Sequence, residues 1–130
     1  MKATWALALL AAAVMTQAAR AAGDPAEGEH VFRRCLPCHS VGPGAKNKVG
    51  PELNGLNGRH SGTAPGYSYT AANKKSGIVW KKETFEKYVH DPRAMIPGTK
   101  MVFPGIKNDR QVNDLWAYIK QFGPDGKMMK

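Results

Sequence analysis

Apolar residues recur in helical steps towards both ends of this chain and hardly at all between them. In "NDRQVNDLWAYIKQFGPDG", Val112, Leu115, Ile119 and Phe122 follow one another at spacings of three, four and three, one face of an amphipathic helix. Asp109 is placed to cap its start and Gly123-Pro124 to stop it. "GDPAEGEHVFRRC" predicts another helix, with Asp24 as N-cap, Pro25 at the first helical position, Glu27 in the first turn and Val31 and Phe32 on its apolar side. "KKETFEKYVHDP" gathers Phe85, Tyr88 and Val89 on one side and ends at Pro92. A shorter helical turn is expected over "TAANKKSG", Thr70 to Gly77.

The middle of the chain behaves differently. "VGPGAKNKVGPELNGLNGRHSGTAPGYS" is dense in glycine, proline and asparagine and reads as turns and loops. No alternating apolar and polar run is long enough to argue for a sheet. The expected class is all-α, with three to five helices and long loops. Loops of that length in a compact domain need a reason, and wrapping a large cofactor is one.

The first residues stand apart from this pattern. "MKATWALALLAAAVMTQAARA" opens with a lysine, runs apolar from Ala3 to Met15 and ends in Ala19-Arg20-Ala21, a secretory leader with a small-x-small cleavage site. The apolar run is shorter than the ~20 residues that cross a bilayer. Residues 1–21 are therefore expected to be removed, with Ala22 as the alternative cleavage point, leaving 22–130 as one domain in an oxidising compartment, the periplasm. No second apolar segment of spanning length follows.

Composition then changes the picture. With 14 glycines and 9 prolines in the whole chain, and modest aliphatic content, so small a domain is marginal on side-chain burial alone. Loss of Lys2 and Arg20 leaves 17 Lys+Arg against 10 Asp+Glu, a formal charge of +7 in place of +9. That charge suits an anionic membrane or an acidic protein surface; outside the cytoplasm nucleic acid is not the expected partner.

The candidate chemistry lies in "RRCLPCHSVG". Its Cys35 and Cys38 are the only cysteines, three apart, with His39 directly after. A disulfide there would close a tiny loop and stabilise little. A redox dithiol usually sits at a strand-to-helix junction, and the pattern offers no strands. Zinc needs about four ligands, and His30, His60 and His90 supply no second pair at a matching spacing. Cys-x-x-Cys-His in an exported chain signals covalent haem attachment, with both cysteines as thioethers and His39 on the iron.

A protein ligand on the other side of the iron implies electron transfer, because a saturated iron has nowhere to bind substrate. The candidates are the three other histidines and Met95, Met101, Met128 and Met129. His30 lies too close along the first helix, His60 and His90 read as solvated, and Met128 and Met129 sit in a tail expected to fray. Spacing favours Met101, which follows the turn "IPGTK", over Met95, without excluding Met95.

"CLPCHSVGPGAKNKVGPELNGLNGR", "APGYSYTAANKKSGIVW" and "IPGTKMVFPGIK" closely resemble the class I c-type cytochromes, nearest to the bacterial cytochrome c2 and mitochondrial cytochrome c branch, across essentially all of 22–130. The resemblance implies that fold around one low-spin haem c. It matches Met101 to the axial methionine, and Pro51 to the proline whose carbonyl takes the other ring N–H of the ligand histidine. Tyr69, Trp80, Arg59 and Thr99 match residues that bond or shield the haem propionates. Asn73 and Tyr88 match polar residues around the axial methionine, and Phe103 the aromatic residue beside the exposed edge. Asn47 stands where mitochondrial members often carry a histidine that ties two loops together.

The implied function is one-electron carriage, with no catalysis: a monomer accepting electrons from a cytochrome bc complex and passing them to a photosynthetic reaction centre or a terminal oxidase. Arg34, Lys46, Lys48, Arg93, Lys100 and Lys107 flank the haem-binding and Met101 segments and, in the implied fold, ring the haem edge as a docking surface for acidic partners. The alternative is a haem enzyme or gas-binding protein in which the sixth ligand is displaceable.

Overall fold

The computed structural model describes residues 22–130; the expected leader, 1–21, lies outside the described residues. Five helices follow in order: α1 (Pro25–Phe32), α2 (Ala71–Lys75), α3 (Lys82–His90), α4 (Pro92–Met95) and α5 (Asp109–Ile119). Among the described residues the only extended pairings are isolated bridges, His60 with Val79 and Phe122 with Met128. The all-α reading with long loops holds.

Local chemistry explains most helix starts. Asp24 caps α1, its carboxylate accepting from the amides of Ala26 and Glu27, and Pro25 takes the first position, where a missing N–H costs nothing. The Thr70 hydroxyl caps α2 at the Asn73 amide. Before α5 the structure corrects the sequence reading: Asn108 is the cap, accepting from the Gln111 amide, and Asp109 is the first helical residue. Its carboxylate still favours the positive end of the helix dipole.

Two other boundaries differ. α3 ends at His90 with Asp91 as its C-cap, before Pro92, because Pro92 opens a new one-turn helix, α4, capped by the Asp91 carboxylate at the Ala94 amide. α5 ends at Ile119, ahead of Gly123-Pro124, and the tail expected to fray folds back. Gly123 N–H donates to the Lys127 carbonyl at 2.9 Å and Met129 N–H to the Gln121 carbonyl at 2.8 Å.

The two terminal helices pack on each other. Gly28 makes that crossing possible: a Cβ there would stand 2.0 Å from the Asp114 carbonyl oxygen, so only hydrogen lets α1 approach α5 so closely. The buried Asp114 carboxylate also takes the Asp24 amide at 2.8 Å, fixing the start of α1 against α5. Val112, Leu115 and Ile119 turn inward as their spacing predicts, and join Phe32, Phe85, Val89, Ile96, Ile106 and Trp116 in one apolar cluster. The long loops fold over the other side of that cluster and enclose a cavity.

Candidate functional site

The cavity has a volume of about 210 Å³ and is mainly apolar, walled by Leu53, Leu56, Trp80, Phe85, Val89, Leu115 and Ile119 from the core and by the loops on the remaining sides. It gathers the residues singled out in the sequence: Cys35, Cys38, His39, Pro51, Arg59, Tyr69, Asn73, Trp80, Tyr88, Thr99, Met101 and Phe103 all line it. His30, His60 and His90 are exposed and line no part of it. Met95, on α4, packs against the apolar cluster and is also outside the lining.

The turn after α1 presents Cys35, Cys38 and His39 together. Backbone bonds from the Cys38 and His39 amides to the Cys35 carbonyl, at 3.0 and 2.8 Å, hold it tight. The Nδ1–H of His39 donates to the Pro51 carbonyl at 2.7 Å, which fixes the tautomer and leaves the lone pair on Nε2. Burial is the largest influence on this imidazole and lowers its pKa below the ordinary value; the Pro51 bond opposes that, while the charges of Arg59 and Lys48 add to it. A neutral ring with one nitrogen tied and the other free is what a metal ligand requires.

Burial pushes the Cys35 thiol up to about 11, with Arg34 pulling down and Cys38 pushing up by less. Redox-active dithiols depend on an attacking thiol shifted the opposite way, a thiolate stabilised near neutral pH, and Cys35 is unsuited to that role. Zinc is no better served: no group of three or more His, Cys, Asp or Glu side chains placed to hold a metal ion occurs among the described residues. Two thiols and a tautomer-fixed histidine on the wall of one apolar cavity fit a covalently attached haem.

The wall around Met101 carries a polar network. Tyr88 Oη and Thr99 Oγ1 are 2.5 Å apart, and Asn73 Nδ2 donates to the same Thr99 oxygen at 3.3 Å. The Met101 amide donates to it as well, at 3.3 Å, and the Lys100 amide donates to Asn73 Oδ1 at 3.2 Å. Thr99 thus joins Asn73 and Tyr88 around Met101. Burial raises the pKa of Tyr88 above the ordinary phenol value, against the opposing bonds from Thr99 and Asn73, so its hydroxyl stays protonated. Trp80 packs on Tyr88 with ring centroids 5.0 Å apart and planes tilted by 51°, and Tyr69 Oη accepts from the Ala64 amide at 2.9 Å.

Arg59 lines the cavity with much of its guanidinium already engaged. Nη1 reaches Glu52 Oε1 at 3.3 Å and the Asn54 carbonyl at 3.2 Å, and Nη2 donates to the Glu52 carbonyl at 2.8 Å. Glu52 was invisible as a site residue in the sequence; an acid seven positions before an arginine within a glycine-rich loop was its only signal. Asn47 does tie two loops, donating from Nδ2 to the Pro65 carbonyl at 2.8 Å and accepting the Glu52 amide on Oδ1 at 2.9 Å. Tyr67 is a further lining residue that the sequence did not reveal; its hydroxyl donates to the Val49 carbonyl at 2.6 Å.

The six cations of the expected ring are all exposed, but they are not equally close to the cavity. Arg34 and Lys100 line it, with Lys100 Nζ 4.9 Å above the Tyr67 ring. Lys48 Nζ donates to the Leu36 carbonyl at 2.8 Å, beside Cys35. Lys107 Nζ reaches the His90 carbonyl at the end of α3, Arg93 lies on α4, and Lys46 borders a separate polar groove. Val49 and Val102, 69% and 83% exposed, also line the cavity, so apolar surface and positive charge meet there. No helix among the described residues is long and apolar enough to cross a membrane.

Known proteins agree with this geometry. A family model described as Cytochrome c matches residues 25–123. The chain is 60% identical over 125 residues to a cytochrome c2 of Blastochloris viridis, covering 96% of each chain. It is 62% identical over 103 residues to a cytochrome c-550 of Bradyrhizobium diazoefficiens, covering 79% of this chain and 76% of that one. Among solved structures, cytochrome cH from Methylobacterium extorquens superposes with a TM-score of 0.71 at 43% identity, covering 75% of this chain and 98% of the other. The chain therefore belongs to the cytochrome c family, close to bacterial cytochrome c2, and is an electron-transfer protein with one covalent haem c and no enzymatic activity of its own.

Proposed function

We propose that residues 22–130 form a periplasmic one-electron shuttle, released by removal of residues 1–21, that takes electrons from a cytochrome bc complex and delivers them to a photosynthetic reaction centre or a terminal oxidase. The observation that carries this reading is the single cavity lined at once by Cys35, Cys38, His39 and Met101. Cys35 and Cys38 would hold the haem through thioethers, and His39 and Met101 would supply the protein ligands to its iron. When bound, the haem supplies a one-electron couple between ferrous and ferric iron.

The chain's own residues tune and protect that couple. Pro51 keeps His39 in the tautomer that donates from Nε2 and increases its basicity. The Met101 thioether favours the reduced state, as does the exclusion of water by Trp80, Leu56, Phe85 and their neighbours. Thr99, Asn73 and Tyr88 fix the backbone at Met101 and so would hold its thioether in place whichever charge the iron carried. Arg59, Tyr69 and Trp80 stand by the propionates, where donors offset buried negative charge. Arg34, Lys48 and Lys100 at the cavity, with Lys46, Arg93 and Lys107 further out, steer acidic partners to the exposed edge beside Phe103, and the protein works as a monomer.

Two measurements test this. Acid-acetone treatment of the mature protein is expected to leave the haem on the polypeptide; its release would refute the thioether assignment. Met101→Leu is expected to abolish the weak long-wavelength band of methionine-ligated ferric haem and to lower the midpoint potential, whereas Met95→Leu leaves both unchanged. The reverse pattern would move the ligand to Met95.

A further inference from the structure

Arg59 and Glu52 form the one side-chain ion pair among the described residues, Nη1 to Oε1 at 3.3 Å, with side chains 14% and 19% exposed. The pair straddles a boundary. Arg59 lines the apolar cavity, while Glu52 lines a polar surface groove bordered by Lys46, Asn47, Asn54 and Asp125. Glu52 is held in place on every side. Its Oε2 accepts the Asn54 amide at 2.7 Å, its own amide donates to Asn47 Oδ1 at 2.9 Å, and its carbonyl accepts Arg59 Nη2 at 2.8 Å.

A guanidinium has five N–H donors, and Glu52 and Asn54 take three of those of Arg59. Two of the five are not taken by these acceptors, and the side chain lines the cavity. A positive charge beside the cavity favours the reduced state, which carries one more electron. A carboxylate 3.3 Å from that charge, with its own carbonyl on Nη2, fixes where the guanidinium lies and so how much of its field reaches the cavity. In a partly buried wall the effective dielectric lies well below that of water, so a change in that placement has a measurable effect.

We propose that Glu52 is a positioning residue that sets the midpoint potential through Arg59, holding the guanidinium in the cavity wall and limiting how much of its charge acts on the electron-accepting centre. The proposal rests on the reading above in which Arg59 stands beside the propionates.

Glu52→Gln in the holoprotein keeps the side chain's shape and its acceptor for the Asn54 amide and removes the charge. At a fixed applied potential the ferrous-to-ferric ratio is expected to rise about threefold, about 28 mV at 59 mV per tenfold for one electron. Glu52→Asp, which retains the charge, is expected to return the potential towards its original value. In an Arg59→Gln background the Glu52→Gln step is expected to lose most of its effect.

An unchanged potential in Glu52→Gln, with only a lower melting temperature, would make Glu52 a purely structural tether and overturn the proposal. An undiminished shift without Arg59 would also overturn it, because the carboxylate would then act directly. If Arg59→Gln alone lowers the potential while Glu52→Gln does not move it, the reading of Arg59 stands and only this inference fails. If Arg59→Gln leaves the potential unmoved, the placement of Arg59 beside the propionates fails, and the inference fails with it.

Discussion

Gly50 lies against the imidazole of His39 so closely that a Cβ on Gly50 would stand 2.3 Å from Cε1 of the ring. The backbone of Gly50 is in ordinary conformational space, so the requirement for glycine here is contact alone. Its neighbour Pro51 provides the carbonyl that holds Nδ1, and the bare Cα is what lets that carbonyl reach the ring at 2.7 Å.

Gly50→Ala should therefore displace the ring or the loop. A methyl forced into a packed wall costs about 1–3 kcal/mol. The expected outcome is a loss of that size in denaturant unfolding of the holoprotein, with the methionine–iron band weakened as His39 shifts. A variant with unchanged stability and spectrum would show that the loop yields freely.

Asn47 joins three segments through two bonds, to the Pro65 carbonyl and from the Glu52 amide. Asn47→Ala leaves the part-buried Glu52 amide without its partner and the exposed Pro65 carbonyl to water, at a cost of about 1 kcal/mol. Because an amide does not titrate, the unfolding free energy of the unaltered protein should show no step near neutral pH attributable to this position. Asn47→His is expected to introduce one, read as a difference between the two proteins' stability profiles from pH 5 to 8.

Tyr88 offers a pH test with a definite sign. Its folded pKa is raised above the ordinary 10.0, first by burial. A raised folded pKa means that its contribution is fully present below the unfolded value and is lost as pH rises through the folded one. Stability should fall above pH 10, and Tyr88→Phe should make that fall shallower, since one of the protonated phenols is gone. Below pH 9 the same variant should cost about 1 kcal/mol for the lost bond to Thr99. Equal slopes above pH 10 in the two proteins would contradict the assignment.

Partner docking is expected to depend on where charge lies as well as on how much there is. Screening acts over about 8 Å at physiological salt, so reduction of an acidic acceptor should slow as salt rises. Lys48→Glu and Lys100→Glu, near the cavity, should each slow the second-order step at low salt by about tenfold. Lys127→Glu makes the same charge change in the tail, away from the cavity lining, and should have a much smaller effect. Equal slowing by all three would mean non-specific attraction.

What the sequence determined by itself was local. Helix spacing at Val112, Leu115 and Ile119, the Asp24-Pro25 start of α1 and the short helical turn within Thr70 to Gly77 all depend on neighbours within a few positions, and all appear as read. Cys-x-x-Cys-His was legible for the same reason: one turn presents all three side chains. The glycine-rich middle declared itself as loop, though not what it enclosed. Where two local signals competed, the sequence chose less well. Asn108 took the cap from Asp109, and Asp91 closed α3 and capped α4 ahead of Pro92.

Tertiary structure decided what depends on distant segments meeting. Spacing favoured Met101 without excluding Met95; closure of the loops placed Met101 on the cavity lining and left Met95, which also packs against the apolar cluster, off it. The Glu52–Arg59 pair, the Asn47 tie to Pro65 and the return of the tail to Gln121 each join groups whose partners no periodicity predicts. Such contacts form only once the apolar cluster has fixed where the loops lie, because a single hydrogen bond or ion pair is too weak to order a loop against its conformational entropy.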